Sequence, residues 1–406
     1  MRSRVGEQSK FSVENYVCFI KSMPKKSLDM KKQTIFVGLS GGVDSAVSVA
    51  LLKKEGHEVV GVFIKTWHPD FLKCNEEEER RDAMRVAAHL DIPFLTFDLE
   101  DVYKKEVADY MISEYRAGRT PNPDVMCNKE VKFGAFLKKA ISMGADYVAT
   151  GHYARTSAKN TFAQSLGPSL RSATPSQKHF SPSLWRGVDP SKDQSYFLWT
   201  LRQEQLKKIL FPIGNLKKTE VRKLAKKFKL PVAKKKDSQG ICFLGEVDLK
   251  EFLKHYIKPK GGKVVNEKRE VIGHHNGVVF HTLGERHGFV ITKKSPNDGP
   301  YYVIGKDIKK NILIVSQNKN IPRQDLGESV SIKNTNWIAE IPEQNKNYIA
   351  QIRYHGEFLS CKVKCSTPSV AQSVAQIIFT KPVLVAAGQS CVLYDKDVCL
   401  GGGVVE

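Results

Sequence analysis

Two features that mark membrane proteins and zinc proteins are missing from this sequence. No run of apolar residues is long enough to span a bilayer. No Cys-x-x-Cys pair occurs among the eight scattered cysteines, which argues against a structural zinc site. The N-terminus also lacks the basic-then-apolar pattern of an export signal. We therefore expect free thiols, no metal centre held by the protein alone, and a cytoplasmic location, or a mitochondrial one if the source is eukaryotic.

Acidic residues are scarce as well. The chain has 64 Lys and Arg against 43 Asp and Glu, which gives a formal net charge of +21. This excess favours a polyanionic partner, nucleic acid first, although a generic basic protein would share it. The length of 406 residues exceeds that of one ordinary domain, so we expect about two or three domains.

The region from residue 34 to about 155 alternates strand-like and helix-like patterns. This repetition predicts an α/β fold with a parallel sheet and helices on both faces. Ligands of such sheets bind at the carboxyl ends of the strands. The candidate strands are 34–39, 58–64, 93–98 and 146–150, and the candidate helices are 44–56, 76–90, 100–117 and 129–143.

A glycine-rich turn joins the first strand to the first helix. Glycines let a backbone approach an anion, and the helix N-terminus presents free N–H groups and a positive dipole end. No Gly-Lys-Ser/Thr follows, so the turn is not a Walker loop. It is either a different phosphate site or an ordinary strand–turn–helix corner. Its residues are Gly38, Leu39, Ser40, Gly41, Gly42, Val43, Asp44 and Ser45.

Three further segments stand out by composition. Residues 1–32 are polar and contain lysines, which predicts a poorly ordered N-terminal extension. Residues 157–185 are rich in Ser, Pro, Gln, Asn and Thr, which predicts a flexible insertion. Residues 193–210 return to a helical pattern, with Phe197 and Leu201 among the apolar positions.

Residues 217–229 predict an amphipathic helix with one apolar and one basic face. A charged face is usually just solvated, but Glu220 is the only acid here, so we favour a surface for phosphate backbones. The apolar positions are Val221, Leu224, Ala225 and Phe228. The basic positions are Lys217, Lys218, Arg222, Lys223, Lys226, Lys227, Lys229 and the run Lys234, Lys235 and Lys236.

Beyond about residue 260 the pattern changes to short alternating segments separated by turn residues. Such spacing predicts a small antiparallel barrel or sandwich. The segments are 301–304, 311–315, 329–333, 348–354, 358–364, 374–379 and 391–394.

Two separate segments present a cysteine in a polar setting. Asn122–Asn128 reads Asn-Pro-Asp-Val-Met-Cys-Asn and precedes a helix, whose dipole would favour the Cys127 thiolate. Asp124 could donate or accept a proton at the same place. Cys242 lies beside the basic cluster, and nearby cations lower the pKa of a thiol. Either cysteine could instead be a small buried hydrophobic residue.

Taken together, these segments resemble the tRNA-specific 2-thiouridylases, whose Ser-Gly-Gly-x-Asp-Ser loop is shared with other PP-loop ATP pyrophosphatases. The resemblance spans about residues 34–406 and implies three domains. They are a PP-loop (adenine nucleotide alpha hydrolase-like) catalytic domain at 33–210, a small central tRNA-binding domain at 211–290 and a C-terminal antiparallel β-barrel at 291–406. The matching segments are Gly38–Ser45, Asn122–Lys132, Ala149–Arg155, Lys192–Leu198, Lys235–Phe243, Arg353-Tyr354 and Leu400–Gly403.

The resemblance also implies a reaction and roles for individual residues. The enzyme would use ATP and Mg²⁺ to adenylate the wobble uridine of tRNA, with lysine, glutamate and glutamine tRNAs as acceptors, and would take sulfur from an upstream persulfide donor. The ATP phosphates would bind at Gly38–Ser45, and Ile64 and Gly151 would line the adenosine site. Asn122, Pro123 and Asp124 would meet the target uridine, with Cys127 as nucleophile and Cys242 as persulfide carrier. The tRNA contacts would be His152, Lys192, Asp193, Gln194, Arg353, Tyr354 and Gln389.

Two other functions remain open from the sequence. One is another PP-loop adenylating enzyme, such as a lysidine synthetase or an amidotransferase-type synthetase, which would not need Cys242. The other is a non-catalytic RNA-binding protein that has kept the fold.

The family segment around Thr282–Arg286 commonly has Gln where this chain has Glu285.

Overall fold

The computed structural model describes residues 32–72, 75–157, 182–237, 240, 242, 248–294, 298–318, 328–365 and 374–406. The expected extension, apart from Lys32, and positions 158–181 of the expected insertion lie outside the described residues. None of the helices described is both long enough and apolar enough to cross a membrane.

A five-stranded sheet forms the centre of the N-terminal part, and all of its neighbouring strands are parallel. Ile35 and Val37 pack into the hydrophobic cluster on one face, whereas Phe36 packs into the cluster on the other face. Both faces are therefore covered, which confirms the parallel α/β prediction. In spatial order the strands are β3 (Phe94–Asp98), β2 (Glu58–Lys65), β1 (Thr34–Gly38), β4 (Tyr147–Ala149) and β7 (Ile209–Leu210).

Seven helices in the described residues accompany the sheets. Helices α1, α2 and α6 pack on the face with Ile35, and α3 and α4 pack on the face with Phe36. The helices are α1 (Val43–Lys54), α2 (Glu76–His89), α3 (100–116), α4 (123–142), α5 (Gln203–Leu206), α6 (Lys218–Lys227) and α7 (Leu249–Lys254). Within α3 and α4, the stretches Lys104–Asp109 and Cys127–Phe136 are π-helical.

The prediction of a single helix over residues 193–210 is wrong. The chain forms a 3₁₀ turn at Ser195–Leu198, the short helix α5 and then β7. This segment is buried against the C-terminal barrel, where the Tyr196 hydroxyl donates to the Ser390 carbonyl at 2.9 Å. Tertiary packing therefore decides its conformation in place of the local helical pattern.

A second sheet, formed by residues 262–316, packs on its own small core. The expected domain boundary at residue 290 falls inside this sheet, because the strand Phe289–Ile291 spans it and pairs with residues 273–275. Its strands, in spatial order, are β10 (Phe289–Ile291), β9 (Val271–His275), β8 (Gly262–Val265), β12 (Ile312–Ser316) and β11 (Tyr302–Asp307).

The C-terminal strands close into a six-stranded antiparallel barrel, because the first and last strands, β13 and β18, pair with each other. This confirms the predicted β-barrel, and Cys361 packs inside its core. In order around the barrel, the strands are β13 (Ser329–Trp337), β16 (Ala375–Phe379), β15 (Leu359–Cys365), β14 (Tyr348–Gln351), β17 (Ser390–Asp395) and β18 (Val398–Val405).

Two strands from the N-terminal half extend the sheet of this barrel. Strand β6 (Leu184–Arg186) pairs with β18, and β5 (Ala154–Thr156) pairs with β6. The predicted insertion 157–185 therefore extends too far at its C-terminal end, since Leu184 is fully buried in a paired strand. These pairings attach the barrel firmly to the first domain.

Candidate active site

A cleft of about 960 Å³ opens at the carboxyl ends of β1, β2 and β4. The loop Gly38–Ser45, Ile64 and Gly151 line one part of it, as expected for an α/β sheet. Asp124 of α4 lines another part. Tyr354, in the loop between β14 and β15, comes from the C-terminal barrel. Three regions of the chain thus meet around one cavity.

The observed backbone conformation of the loop Gly38–Ser45 requires glycine at position 41. Gly41 has φ +73°, and a Cβ atom there would collide with the carbonyl oxygen of Glu79. Gly42 precedes α1, so no side chain caps the first N–H groups of that helix. These groups face the cleft side of the loop and form a ready site for an anion.

Asp44 is part of a charged network at the end of this loop. Its carboxylate accepts hydrogen bonds from the Tyr153 hydroxyl at 2.8 Å and from Lys218 Nζ at 2.8 and 2.9 Å. Lys218 also contacts Asp237 at 2.8 Å, and Asp237 in turn accepts from Lys192 at 3.0 Å. Burial opposes ionisation of Asp237, but the hydrogen bonds from Lys218 and Lys192 lower its pKa overall.

Cys127 and Cys242 lie side by side although 115 residues separate them in sequence. Their Sγ atoms are 3.5 Å apart, and both are free thiols. The Cys242 N–H donates to Asp124 Oδ1 at 2.9 Å, and its carbonyl accepts from the Tyr103 hydroxyl at 2.8 Å. Asn122 caps the start of α4 by accepting from the Val125 N–H at 3.2 Å. The two expected cysteine motifs therefore form one site.

The two thiols have opposite electrostatic environments. A hydrogen bond with Cys127 is the main cause that lowers the pKa of Cys242 to about 7; burial opposes it, and Lys132 adds to the lowering. Burial, followed by the contact with Cys242, raises the pKa of Cys127 well above its ordinary value. The expectation that the helix dipole favours a Cys127 thiolate is wrong, because Cys127 lies inside the continuous helix α4 and is only 1% exposed. Of the two thiols, Cys242 is therefore the one that ionises more readily.

Three family models match consecutive parts of this chain. They are the tRNA methyl transferase HUP domain over residues 33–246, the tRNA methyl transferase PRC-barrel domain over 250–317 and the aminomethyltransferase beta-barrel domain over 328–405. The tRNA-specific 2-thiouridylase MnmA of Geobacillus thermodenitrificans (strain NG80-2) is 42% identical over 378 residues, which cover 92% of this chain and 94% of that protein. The MnmA of Nitrosomonas europaea is 41% identical over 381 residues, covering 93% and 99%.

This chain belongs to the tRNA-specific 2-thiouridylase family. The matches confirm the resemblance drawn from the sequence. Among solved structures, the U34-tRNA thiolase NcsA from Methanococcus maripaludis has 17% identity and a TM-score of 0.32, covering 61% of this chain and 72% of that one. A similarity that small carries no argument about this protein.

Six of the seven residues proposed for tRNA contact fall into two groups, and the seventh, Lys192, pairs with Asp237 at the cleft. Arg353 is exposed, and the ring of Tyr354 lies 4.3 Å from that of Phe197 at the cleft. Both can reach a large ligand.

The second group is engaged inside the protein. Asp193 is buried and pairs with Arg186 at 3.0 Å. Gln194 accepts from the Tyr153 N–H at 3.0 Å, and Gln389 donates to the Thr120 carbonyl at 3.1 Å. His152 is buried with a pKa well below its ordinary value because of burial and nearby Lys132. These four residues therefore make contacts within the protein, and His152 and Gln194 also line the cleft.

The sequence patterns missed two cleft lysines. The pattern places Lys218 on the basic face predicted to bind phosphate backbones, but its side chain is only 13% exposed and turns towards Asp44. Arg222 likewise turns inward to pair with Asp237. Lys132 lies at the cysteine pair and was not singled out at all. For Lys132, the only sequence signal was its place at the end of the Asn122–Lys132 match.

Glu285 stands where the family commonly has Gln, and contacts with neighbouring residues hold its side chain in place. Its carboxylate accepts from Lys250 Nζ and from the Thr282 N–H at 3.0 Å. Burial opposes ionisation, but hydrogen bonds from His281 and Lys250 lower the pKa of Glu285 to about 2. The negative charge therefore has partners, which explains how a carboxylate fits at this position.

Proposed function

We propose that this protein is an ATP-dependent tRNA sulfurtransferase that converts the wobble uridine to 2-thiouridine, releasing AMP and pyrophosphate. The observation that carries the proposal is the 3.5 Å approach of buried Cys127 to Cys242, which lines the cleft that also contains the Gly38–Ser45 loop. An adenylating enzyme without sulfur chemistry has no use for two facing thiols.

Activation of the uridine comes first. The oxygen on C2 is a poor leaving group, and transfer of AMP onto it makes it a good one. In this proposal, the uncapped N–H groups of α1 bind the ATP phosphates, and Ile64 and Gly151 line the adenosine site. Lys218 neutralises Asp44 next to the triphosphate.

Magnesium fits the oxygen donors of this loop. Hard cations prefer carboxylate and hydroxyl oxygens, and Asp44, Ser40 and Ser45 supply them at the cleft. Bound there with ATP, the ion would neutralise phosphate charge. Asp44 would be its carboxylate ligand, and Lys218, which donates to both carboxylate oxygens, balances the charge of Asp44.

Sulfur arrives after activation, by one of two balanced routes. In the first, the Cys242 persulfide attacks C2 and expels AMP, and Cys127 then attacks the Cys242 sulfur, releasing the thiouridine. In the second, Cys127 attacks the Cys242 sulfur of the persulfide and releases hydrosulfide, which attacks C2. Both routes end in a Cys127–Cys242 disulfide, which a dithiol reductant reopens. Asp124, whose pKa burial raises, is placed to move protons.

Analysis of heavy-oxygen transfer tests the reaction type. A tRNA with heavy oxygen at C2 of the wobble uridine, incubated with ATP, Mg²⁺ and sulfide, should yield 2-thiouridine. It should also pass one labelled atom into AMP per sulfur inserted, because the C2 oxygen leaves bonded to the AMP phosphate. Mass spectrometry of the nucleosides and of AMP measures both. Label in water or inorganic phosphate would rule out adenylation, and ATP turnover without thiolation would favour another PP-loop synthetase.

The partners follow from charge and chemistry. We propose tRNA as the macromolecular substrate, with lysine, glutamate and glutamine acceptors, and an upstream persulfide protein as the sulfur donor. The exposed lysines of the basic helix α6 and its continuation are the proposed phosphate surface. They are Lys217, Lys223, Lys226, Lys227, Lys229, Lys234 and Lys236.

Replacing Lys226, Lys227 and Lys229 together by alanine should flatten the salt dependence of tRNA binding. Each lost phosphate contact lowers the slope of log K against log salt by roughly 0.7 to 0.9, so the triple variant should lose about two units. Filter binding between low and moderate salt measures the slope.

A control variant replaces exposed lysines of the second sheet, Lys293, Lys309 and Lys310, which changes the net charge equally. Its slope should stay close to that of the unmodified protein. If both variants behave alike, α6 is a solvated face with no place in tRNA binding.

A further inference from the structure

Lys132 lies in the cleft, and the chemistry proposed above gives it no role. It lines the cavity together with Asp124 and Cys242. Its side chain hydrogen bonds to Cys242, and it also interacts with Cys127 and Asp124. A lysine this deep among sulfur atoms needs a negative partner, since burying an unpaired ammonium group is costly.

The π-helical stretch of α4 explains how Lys132 reaches the thiols. In a regular α-helix, residues five apart point about 140° away from each other. Hydrogen bonds from residue i to i+5 widen the helix, which brings residues four and five apart close to one side. Cys127 begins the stretch Cys127–Phe136 and Lys132 follows five residues later. The irregular helix therefore places a cation beside the nucleophilic sulfur atoms.

Four groups from two helices face Cys242. Tyr103 of α3 donates to its carbonyl, and Asp124 of α4 accepts from its N–H. The Cys127 thiol hydrogen bonds to its sulfur, and Lys132 supplies the positive charge. His152 also lines the cleft, and burial and nearby Lys132 lower its pKa. Asp124 disfavours an anion on Cys242, so the hydrogen bond from Cys127 and the charge of Lys132 must together outweigh Asp124 and burial.

We propose that Lys132 is a positioning residue for sulfur transfer, whose ammonium group stabilises the sulfur anion of Cys242 as it accepts sulfur from the donor. The inference rests on the proposed function. In the step, the Cys242 thiolate attacks the outer sulfur of the donor persulfide and forms a new S–S bond. The donor's S–S bond breaks, and its inner sulfur leaves as a thiolate with the electron pair. Electrons and protons balance with no further reactant.

The test measures the ionisation of Cys242 directly, without ATP or tRNA. Fully reduced protein carrying Cys127→Ala, which removes the hydrogen bond of the second thiol, is treated with iodoacetamide across a pH series. Mass spectrometry of the Cys242 peptide gives the rate at each pH. Only the thiolate reacts, so the midpoint of the profile reports the pKa of Cys242.

Adding Lys132→Met should move this midpoint upward by about one pH unit or more, because the thiolate loses its cation. Lys132→Arg should keep the midpoint close to that of the parent. Lys129→Met removes an exposed lysine of the same helix and should leave the profile unchanged. The midpoint is preferred to the rate at one pH, since a more basic thiolate is also a better nucleophile.

An unchanged midpoint in a folded Lys132→Met protein overturns the proposal, as does an upward shift in Lys132→Arg. Circular dichroism checks folding, and Lys132→Gln replaces the methionine variant if that one unfolds. In the otherwise unmodified protein, Lys132→Met should slow thiolation from a persulfide donor more at pH 7 than at pH 9. If the unmodified protein fails to thiolate tRNA, the proposed function is wrong. The alkylation profile still tests whether Lys132 lowers the pKa of Cys242.

Discussion

Cys127→Ser and Cys242→Ser should each reduce thiolation from a persulfide donor by at least about a thousandfold, while tRNA affinity stays nearly unchanged. A hydroxyl cannot carry sulfane sulfur, and neither side chain lies on the basic surface. The 3.5 Å separation of the two sulfur atoms means that either substitution removes the disulfide that ends both routes. Quantification of 2-thiouridine in digested tRNA, with parallel binding measurements, checks the expectation.

Cys365→Ser is the matched control, because Cys365 is a partly buried thiol at the barrel core and does not line the cleft. It should retain activity. Full activity of either cleft variant with a persulfide donor would remove that cysteine from the mechanism. With free sulfide as donor, residual activity of Cys242→Ser alone would favour the route through released hydrosulfide.

Lys218→Met should lower the rate of pyrophosphate release by about a hundredfold, the usual scale for losing one charged group at a site of developing charge. The side chain holds both carboxylate oxygens of Asp44, at 2.8 and 2.9 Å. Without it, the Asp44 charge would face the ATP phosphates uncompensated. Pyrophosphate release in the presence of tRNA and the equilibrium binding of a fluorescent ATP analogue measure the two effects.

Two companion variants separate charge balance from folding. Lys54→Met changes an exposed lysine of α1 outside the proposed phosphate surface and should behave like the unmodified protein. Adding Asp44→Asn to Lys218→Met should recover part of the nucleotide binding, since no carboxylate is left to neutralise. Asp44→Ala alone should weaken use of the ATP·Mg²⁺ complex. Unchanged pyrophosphate release in Lys218→Met would show that the network serves only the fold.

The sequence by itself determined the class of the first domain and the place of its phosphate loop. Strand β1 is a continuous apolar run followed by Gly41 and a helix, and these short-range features act alike in any context. Short alternating segments in the same way determined the C-terminal barrel. The two cysteine motifs were visible as well, because each is a local cluster of polar residues around Cys127 or Cys242.

Only the tertiary structure decided how those parts combine. No local pattern sets a contact between residues 115 positions apart, so the pairing of Cys127 with Cys242 required the folded chain. The ionisation of the pair also follows from the fold, because burial reverses the dipole effect expected at Cys127. Residues 193–210 do not form the single helix that their sequence pattern predicts, because they pack against the barrel.

The basic residues show the same division most clearly. Charge along the chain predicted a cationic surface, and it could not say which lysines turn inward. Lys218 points to Asp44 because α6 packs its apolar side on α1, and Lys132 points to Cys242 because α4 widens into a π-helix. The direction of a long side chain depends on partners brought from distant segments, and those partners exist only once the chain has folded.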